Sequence, residues 1–230
     1  MTPPQGLPAL RPMHHSTKDQ AAVLGLPGKY QPDSYLSKTM NKTICSREQL
    51  IDALDAGHRP GFLFFWGHRA SADGSIGRSC LSQWFASSFE VDGCHYPTAE
   101  HYMMVRKAEL FGDHERLNQI LRTNKPADAK ALGREVTGFS NDAWEAQRWQ
   151  IVVDANTHKF KSNPRLLAFF LGTAPLVLVE ASPIDPIWGI GLDAKSPDAV
   201  RPSQWPGLNL LGFALMEVRE NLKLAKASAP

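Results

Sequence analysis

Apolar positions along this chain come in short blocks, and their spacing shifts from strand-like near residue 62 to helical beyond residue 98. Residues 1–45 show no sustained periodicity and are rich in Pro, Gly, Ser and Lys, so they read as a flexible N-terminal extension. Ser46-Arg47-Glu48-Gln49 is a capping box ahead of Leu50, Ile51 and Leu54, and predicts a short helix that Gly57 and Pro60 stop. Phe62-Leu63-Phe64-Phe65-Trp66 is too short and too aromatic for a helix and reads as a buried strand. Phe89 and Val91, then Asp92-Gly93, then Cys94 and Tyr96 predict a hairpin. Thr98 is a good N-cap after Pro97, so a helix starts there, with Tyr102, Val105 and Leu110 among its apolar positions.

Helical patterns dominate the rest. Pro126 opens a helix over 127–135 that carries Lys130 and Arg134 one turn apart. Asp142 and Glu145 make a capping-box pattern for a long helix running to about Phe160. Asn163-Pro164 caps another that Gly172 ends, and Leu176 to Glu180 is β-branched enough for a strand. An irregular stretch over 182–207 follows, and Asn209 is read as the cap of a final helix whose Leu211, Leu215, Val218 and Leu222 face a core. The expected architecture is one α+β domain over 46–226, helix-dominated with a small antiparallel sheet, and a C-terminal tail over 227–230.

Composition narrows the function. A formal charge of +2 is near balance, so no basic excess advertises nucleic-acid binding. Cys45, Cys80 and Cys94 are odd in number and lack CxxC spacing, which indicates neither a disulfide framework nor a cysteine zinc site. His95 and His101 near Cys94 match no common metal spacing, so no metal and no cofactor are expected. No basic-then-apolar signal opens the chain, and no apolar run approaches the ~20 residues that span a bilayer. A cytoplasmic protein without a membrane partner is the expectation.

Chemistry concentrates where polar residues meet Gly, Pro and Trp. Glu100 falls in the first turn of the helix that Thr98 opens, where the dipole favours a carboxylate. Lys107 lies seven residues on, at nearly the same angle. A ~1.5 Å rise per residue separates the two by about 10 Å, a span that suits a small phosphorylated ligand. The same spacing equally fits a surface Glu and Lys beside a core stripe. Three further segments share this character: 81–85 with Ser82, Gln83 and Trp84, 185–191 with Asp185, Trp188, Gly189 and Gly191, and 207–212 with Asn209.

Together these segments resemble the NADAR superfamily of YbiA-like proteins over residues 62 to 222. The matching features are Leu-Ser-x-Trp ahead of the hairpin, Pro-Thr-x-Glu-His-Tyr opening a helix, Lys107, and Leu-Gly-Arg at Arg134. Asp-x-x-Trp-Gly-x-Gly and Asn-x-Leu-Gly-x-x-Leu-Met-x-Val-Arg complete the series. The resemblance implies N-glycosidase chemistry at ribose C1, on an ADP-ribosylated nucleobase such as ADP-ribosyl-guanine in nucleic acid, or on a phosphoribosylamino intermediate of riboflavin biosynthesis. Carried over motif by motif, it implies Glu100 and Asp185 as catalytic residues. It implies Ser82, Gln83, Trp84, Lys107, Arg134, Trp188, Gly189, Gly191 and Asn209 around the substrate. The chain departs from the family at Gln83, where many members have Asn, and at Ile190, where some carry Asp.

The residue types suit that reaction. An oxocarbenium-like transition state asks for a carboxylate near C1, a base for water and groups that orient the ribose. Glu100 fits the base role, Asp185 ribose hydroxyls or the cation, and Lys107 and Arg134 phosphate oxygens. Trp188 with its two glycines offers a flat face and close backbone approach to a base. Asn209 at a helix start suggests an anion or hydroxyl site. The alternative class is a non-catalytic module that senses ADP-ribose or NAD with the same pocket. Asp185, Trp188 and Asn209 also have ordinary structural readings as a turn carboxylate, a loop anchor and a cap.

Overall fold

The computed structural model describes residues 44–228, so the expectations for 1–43 and for the last two residues lie outside the described residues. Helix α1 (Arg47–Asp55) begins where the capping box stands: Ser46 Oγ accepts from the Gln49 amide at 3.2 Å, and the Gln49 side chain accepts from the Cys45 amide at 2.9 Å. The aromatic run forms β1 (Phe62–Phe65), and the hairpin forms as β2 (Phe89–Val91) and β3 (Cys94–Tyr96). Asp92 and Gly93 both take positive φ, 50° and 77°, which gives the hairpin a turn whose twist matches its strands.

β4 (Val177–Glu180) pairs with β1, and the pairing is parallel, from Phe62 opposite Val177 to Phe65 opposite Glu180. Among the described residues the sheet content is therefore one antiparallel hairpin and one parallel pair, rather than antiparallel throughout. Parallel strands need a long crossover, and here every segment from the hairpin to a fifth helix after it serves as one. Local hydrophobic spacing carries no sign of strand direction.

Those crossover helices are α2 (Ala99–Leu110), α3 (His114–Arg122), α4 (Pro126–Arg134), α5 (Asn141–Lys161) and α6 (Pro164–Gly172). α2 is the hub and packs against α3, α4 and α5. Its start follows the sequence, with Thr98 Oγ1 accepting from the His101 amide. α3 goes beyond the elements expected from the sequence: its apolar side is only Leu117, Ile120 and Leu121, of which Ile120 alone is fully buried. α5 is capped by Ser140 rather than Asp142, two residues earlier than the capping-box pattern placed it. Asn163 caps α6 as expected, its side chain accepting from the amides of Arg165 and Leu166.

The last helix, α7 (Leu210–Ala227), packs on β4 and α5 and buries Leu211, Leu215, Val218 and Leu222. Its beginning corrects the reading of Asn209. That residue sits at φ 55° and its side chain makes no cap bond. Nδ2 donates to the Leu178 carbonyl at 3.0 Å, and Oδ1 accepts from the Glu180 amide at 2.9 Å. The helix-start amides are satisfied by backbone instead: Leu208, Asn209, Leu210 and Leu211 donate to the carbonyls of Pro186, Gly189, Ile187 and Trp188. These four donors are therefore not free to face an anion. The consequence is mechanical, because the 185–191 loop is stitched to α7 and β4 at once.

Candidate active site

A cavity of about 340 Å³ opens between one face of α2, the 82–84 loop, α4, the end of β4 and the 184–188 loop. Five of the sequence-predicted residues line it from four segments: Trp84, Glu100 and Lys107 on α2, Arg134 and Asp185. Ser82, Gln83 and Trp188 also reach it, whereas Gly189, Gly191 and Asn209 stand behind its wall.

Glu100 is nearly fully buried at 3 % exposure, and its Oε1 has no hydrogen-bond partner. Its backbone amide donates to the Gln83 carbonyl at 3.1 Å, which locks the start of α2 to the 82–84 loop. Burial pushes the carboxyl up to about 7, opposed by the Lys130 charge and by the nearby Trp84 side chain, while the Asp185 charge pushes it further up.

Sequence reasoning passed over a second carboxyl, that of Glu180 at the last position of β4, which lines the same cavity. The residue as a whole is half-buried, but its Oε2 is shielded from solvent and without a partner. Burial pushes it up to about 8, and the charges of Asp185 and Glu100 add to that against Lys130. Glu180 entered the sequence reading only as the end of a strand. The available signal was an acidic residue closing an apolar strand just ahead of the Asp185 loop.

Lys130 was seen only as half of a helix-face pair, yet it is the cation that both glutamates feel. Its ammonium lies 5.8 Å from the centre of the Trp84 ring. Lys107 donates to the Gly133 carbonyl at 2.7 Å and faces the Phe139 ring at 4.4 Å, with Arg134 close enough to push its pKa down after burial has done so. Asp185 Oδ1 accepts from the amides of Ile187 and Trp188 at 3.0 and 2.9 Å, so this carboxylate shapes the turn that presents Trp188.

The loop residues are held from below. Ser82 Oγ accepts from the Trp84 amide at 3.2 Å, and Gln83 Oε1 accepts from Asn156 Nδ2 at 2.8 Å. The glycines serve the wall and not the cavity: a Cβ on Gly189 would lie 2.9 Å from the Glu180 carbonyl oxygen and 3.0 Å from that of Asp185. The backbone approach read for Gly189 is therefore made to the protein's own chain. His101 Nδ1 is hydrogen-bonded with Thr98 Oγ1 at 2.8 Å and stays outside the cavity. Among the described residues, no three His, Cys, Asp or Glu side chains converge as a metal set.

Two carboxyls with buried, unpartnered oxygens thus share one cavity with Lys107, Lys130 and Arg134, on a helix-rich α+β domain. Residues 64–223 match the NADAR domain family model, and the chain belongs to that family. It is 40% identical over 164 residues to an N-glycosidase of Acanthamoeba polyphaga mimivirus, covering 69% of this chain and 95% of that one. It is 34% identical over 146 residues to N-glycosidase YbiA of Escherichia coli, covering 64% of this chain and 82% of the relative. The NMR structure of E. coli YbiA matches with a TM-score of 0.60 at 29% identity, over 75% of this chain and 91% of that one. Among the described residues no helix is long and apolar enough to cross a membrane.

Proposed function

We propose that this protein is an N-glycosidase that hydrolyses the bond between ribose C1 and nitrogen in a phosphorylated N-riboside. The observation that carries the reading is Glu100, a buried carboxyl with an unpartnered oxygen in a cavity ringed by Lys107, Lys130 and Arg134. The names of the relatives agree with it. Burial of a carboxylate weakens anion binding, so a pure sensor of a polyanion gains nothing from Glu100.

In this reading the phosphate lies toward Lys107 and Arg134, Trp188 covers the base, and Asp185 meets the ribose hydroxyls. Glu100, when ionised, draws a proton from the attacking water or stabilises the developing cation at C1. The cavity is at the small end of the ~300–1,000 Å³ range of ligand sites, so it holds a ribose phosphate and one base. The rest of an ADP-ribosyl group or a nucleic-acid strand would run out past Arg134 and the exposed Phe139. Both an ADP-ribosylated guanine and a phosphoribosylamino pyrimidine on the way to riboflavin meet these demands.

The test is turnover. Purified protein is incubated with each substrate, and free base and free sugar phosphate are followed by chromatography, with and without EDTA. Release of both products, unchanged by EDTA, is expected. Stoichiometric binding with no product would make the protein a sensor, and loss of turnover on chelation would overturn the metal-free mechanism.

A further inference from the structure

We propose that Glu180 is the general acid of the reaction, holding the proton that the leaving nitrogen takes as the bond to C1 breaks. The inference rests on the N-glycosidase reading and adds the residue that completes it.

The argument is geometric first. Glu180 ends β4, and its backbone is pinned there from two sides: its amide donates to Asn209 Oδ1 at 2.9 Å, and its carbonyl accepts from the Ile190 amide at 2.9 Å. The side chain leaves that fixed point toward the cavity that Glu100 also lines. Each of the two carboxyls keeps one buried oxygen without a partner, Oε2 of Glu180 and Oε1 of Glu100. Buried polar atoms in a folded protein are nearly always paired, and two orphans in one cavity mark atoms whose partner is a ligand. Asp185 lacks this freedom at Oδ1, which two backbone amides occupy.

The surroundings divide the labour. Asp185 on the 184–188 loop and Glu100 on α2 set negative charge against Glu180, and Lys130 on α4 is the cation opposing them. Lys130 and Arg134 hold Glu100 down, and Asp185 pushes it up. The result is a carboxyl that loses its proton near 7 beside one that keeps it to about 8. Between them one partner is ionised and the other protonated, as a base and an acid must be.

The step balances. The C1–N bond breaks with its electron pair going to nitrogen, and the Glu180 proton neutralises that nitrogen as the free amine. Water adds to C1 and Glu100 takes the water's proton; Glu100 then gives that proton to solvent as solvent returns one to Glu180. No oxidant or further reactant is needed.

The experiment uses leaving groups that do and do not need a proton. One probe is an N-ribosyl aminopyrimidine 5′-phosphate, which leaves as an amine, and the other is 4-nitrophenyl ribofuranoside 5-phosphate, which leaves as a stable anion. Glu180→Gln is expected to lower kcat on the first by ~100-fold or more, the usual range for general acids, and on the second by only a few-fold. The fall in wild-type rate on the amine probe as pH rises through about 8 should be absent from the variant. Glu100→Gln is expected to slow both probes. If Glu180→Gln does not fold, Glu180→Asp must show the same selectivity between probes in weaker form. Equal losses on both probes, or none, would overturn the acid role while leaving the N-glycosidase reading intact. A wild-type protein inactive on both would remove that reading and this inference together.

Discussion

Lys159 Nζ donates to the backbone carbonyl of Ser82 across 2.7 Å, from a fully buried position on α5 to the loop that lines the cavity. Three residues earlier on the same helix, Asn156 donates to the Gln83 side chain. One face of α5 thus carries the floor of the site, and the Gln83 carbonyl passes that constraint to Glu100. A buried ammonium with a single protein acceptor is an expensive support, and burial lowers its pKa to about 8 even with the Cys80 thiol beside it.

Lys159→Met keeps the length of the side chain and removes the donor. It should leave the Ser82 carbonyl unpaired and cost about 1–3 kcal/mol at pH 7, measured by denaturant unfolding. The pH dependence identifies the cause. Lys159 in the folded protein loses its proton near 8, below the ordinary lysine value of 10.5, so between those values the unfolded chain binds more protons. Stability from this group therefore rises with pH across that window. The gap between wild type and Lys159→Met should widen from pH 8 to pH 10; a constant gap would mean that the lysine's charge is irrelevant.

Glu100→Gln should separate chemistry from stability. Activity on a phosphorylated N-riboside should fall by ~100-fold to 10,000-fold with ligand binding retained. Stability should move the other way. The folded-state value of about 7 lies above the ordinary 4.5, so the stability this carboxyl supports is present below 4.5 and lost as pH rises through 7. Wild type and variant should melt together at pH 4, with the variant the more stable at pH 8. Calorimetry at the two pH values checks this, and a variant that melts lower at pH 8 would make the carboxylate a structural group.

Lys107→Met should raise KM for phosphorylated ligands by about tenfold, the loss of one charge-assisted hydrogen bond, while a good part of kcat remains at saturation. Removing the ammonium also leaves the Gly133 carbonyl without its donor, and Met is chosen because it keeps the length and packing of the side chain that Ala would lose. The control is a ligand without phosphate, for which KM should hardly move. An equal rise for both ligands would take Lys107 out of phosphate recognition.

Asn209→Ala should damage the fold and not the chemistry. It removes two hydrogen bonds to β4 and places Ala at φ 55°, where Asn is far better tolerated. Each unpaired backbone group costs about 1–3 kcal/mol. Melting temperature should therefore drop by many degrees. Below the melt, KM should stay close to wild type, and a selective rise in KM with unchanged stability would restore Asn209 to the binding site.

The sequence by itself determined what depends on neighbours in the chain. Ser46, Thr98 and Asn163 mark helix starts because a cap is a contact within a few residues, and Asp92-Gly93 marks the hairpin because its φ values are set by those two residues. Motif order likewise singles out Glu100, Lys107 and Asp185, which line one cavity. Only the tertiary structure decided the rest. The parallel register of β1 with β4, the diversion of Asn209 from cap to strand clamp, and the support of the 82–84 loop by Asn156 and Lys159 all join residues remote in sequence. Glu180 is the sharpest case. A carboxyl closing a strand is ordinary until the fold removes its water and sets Glu100, Asp185 and Lys130 around it, because desolvation and charge proximity are properties of a place and not of a spacing.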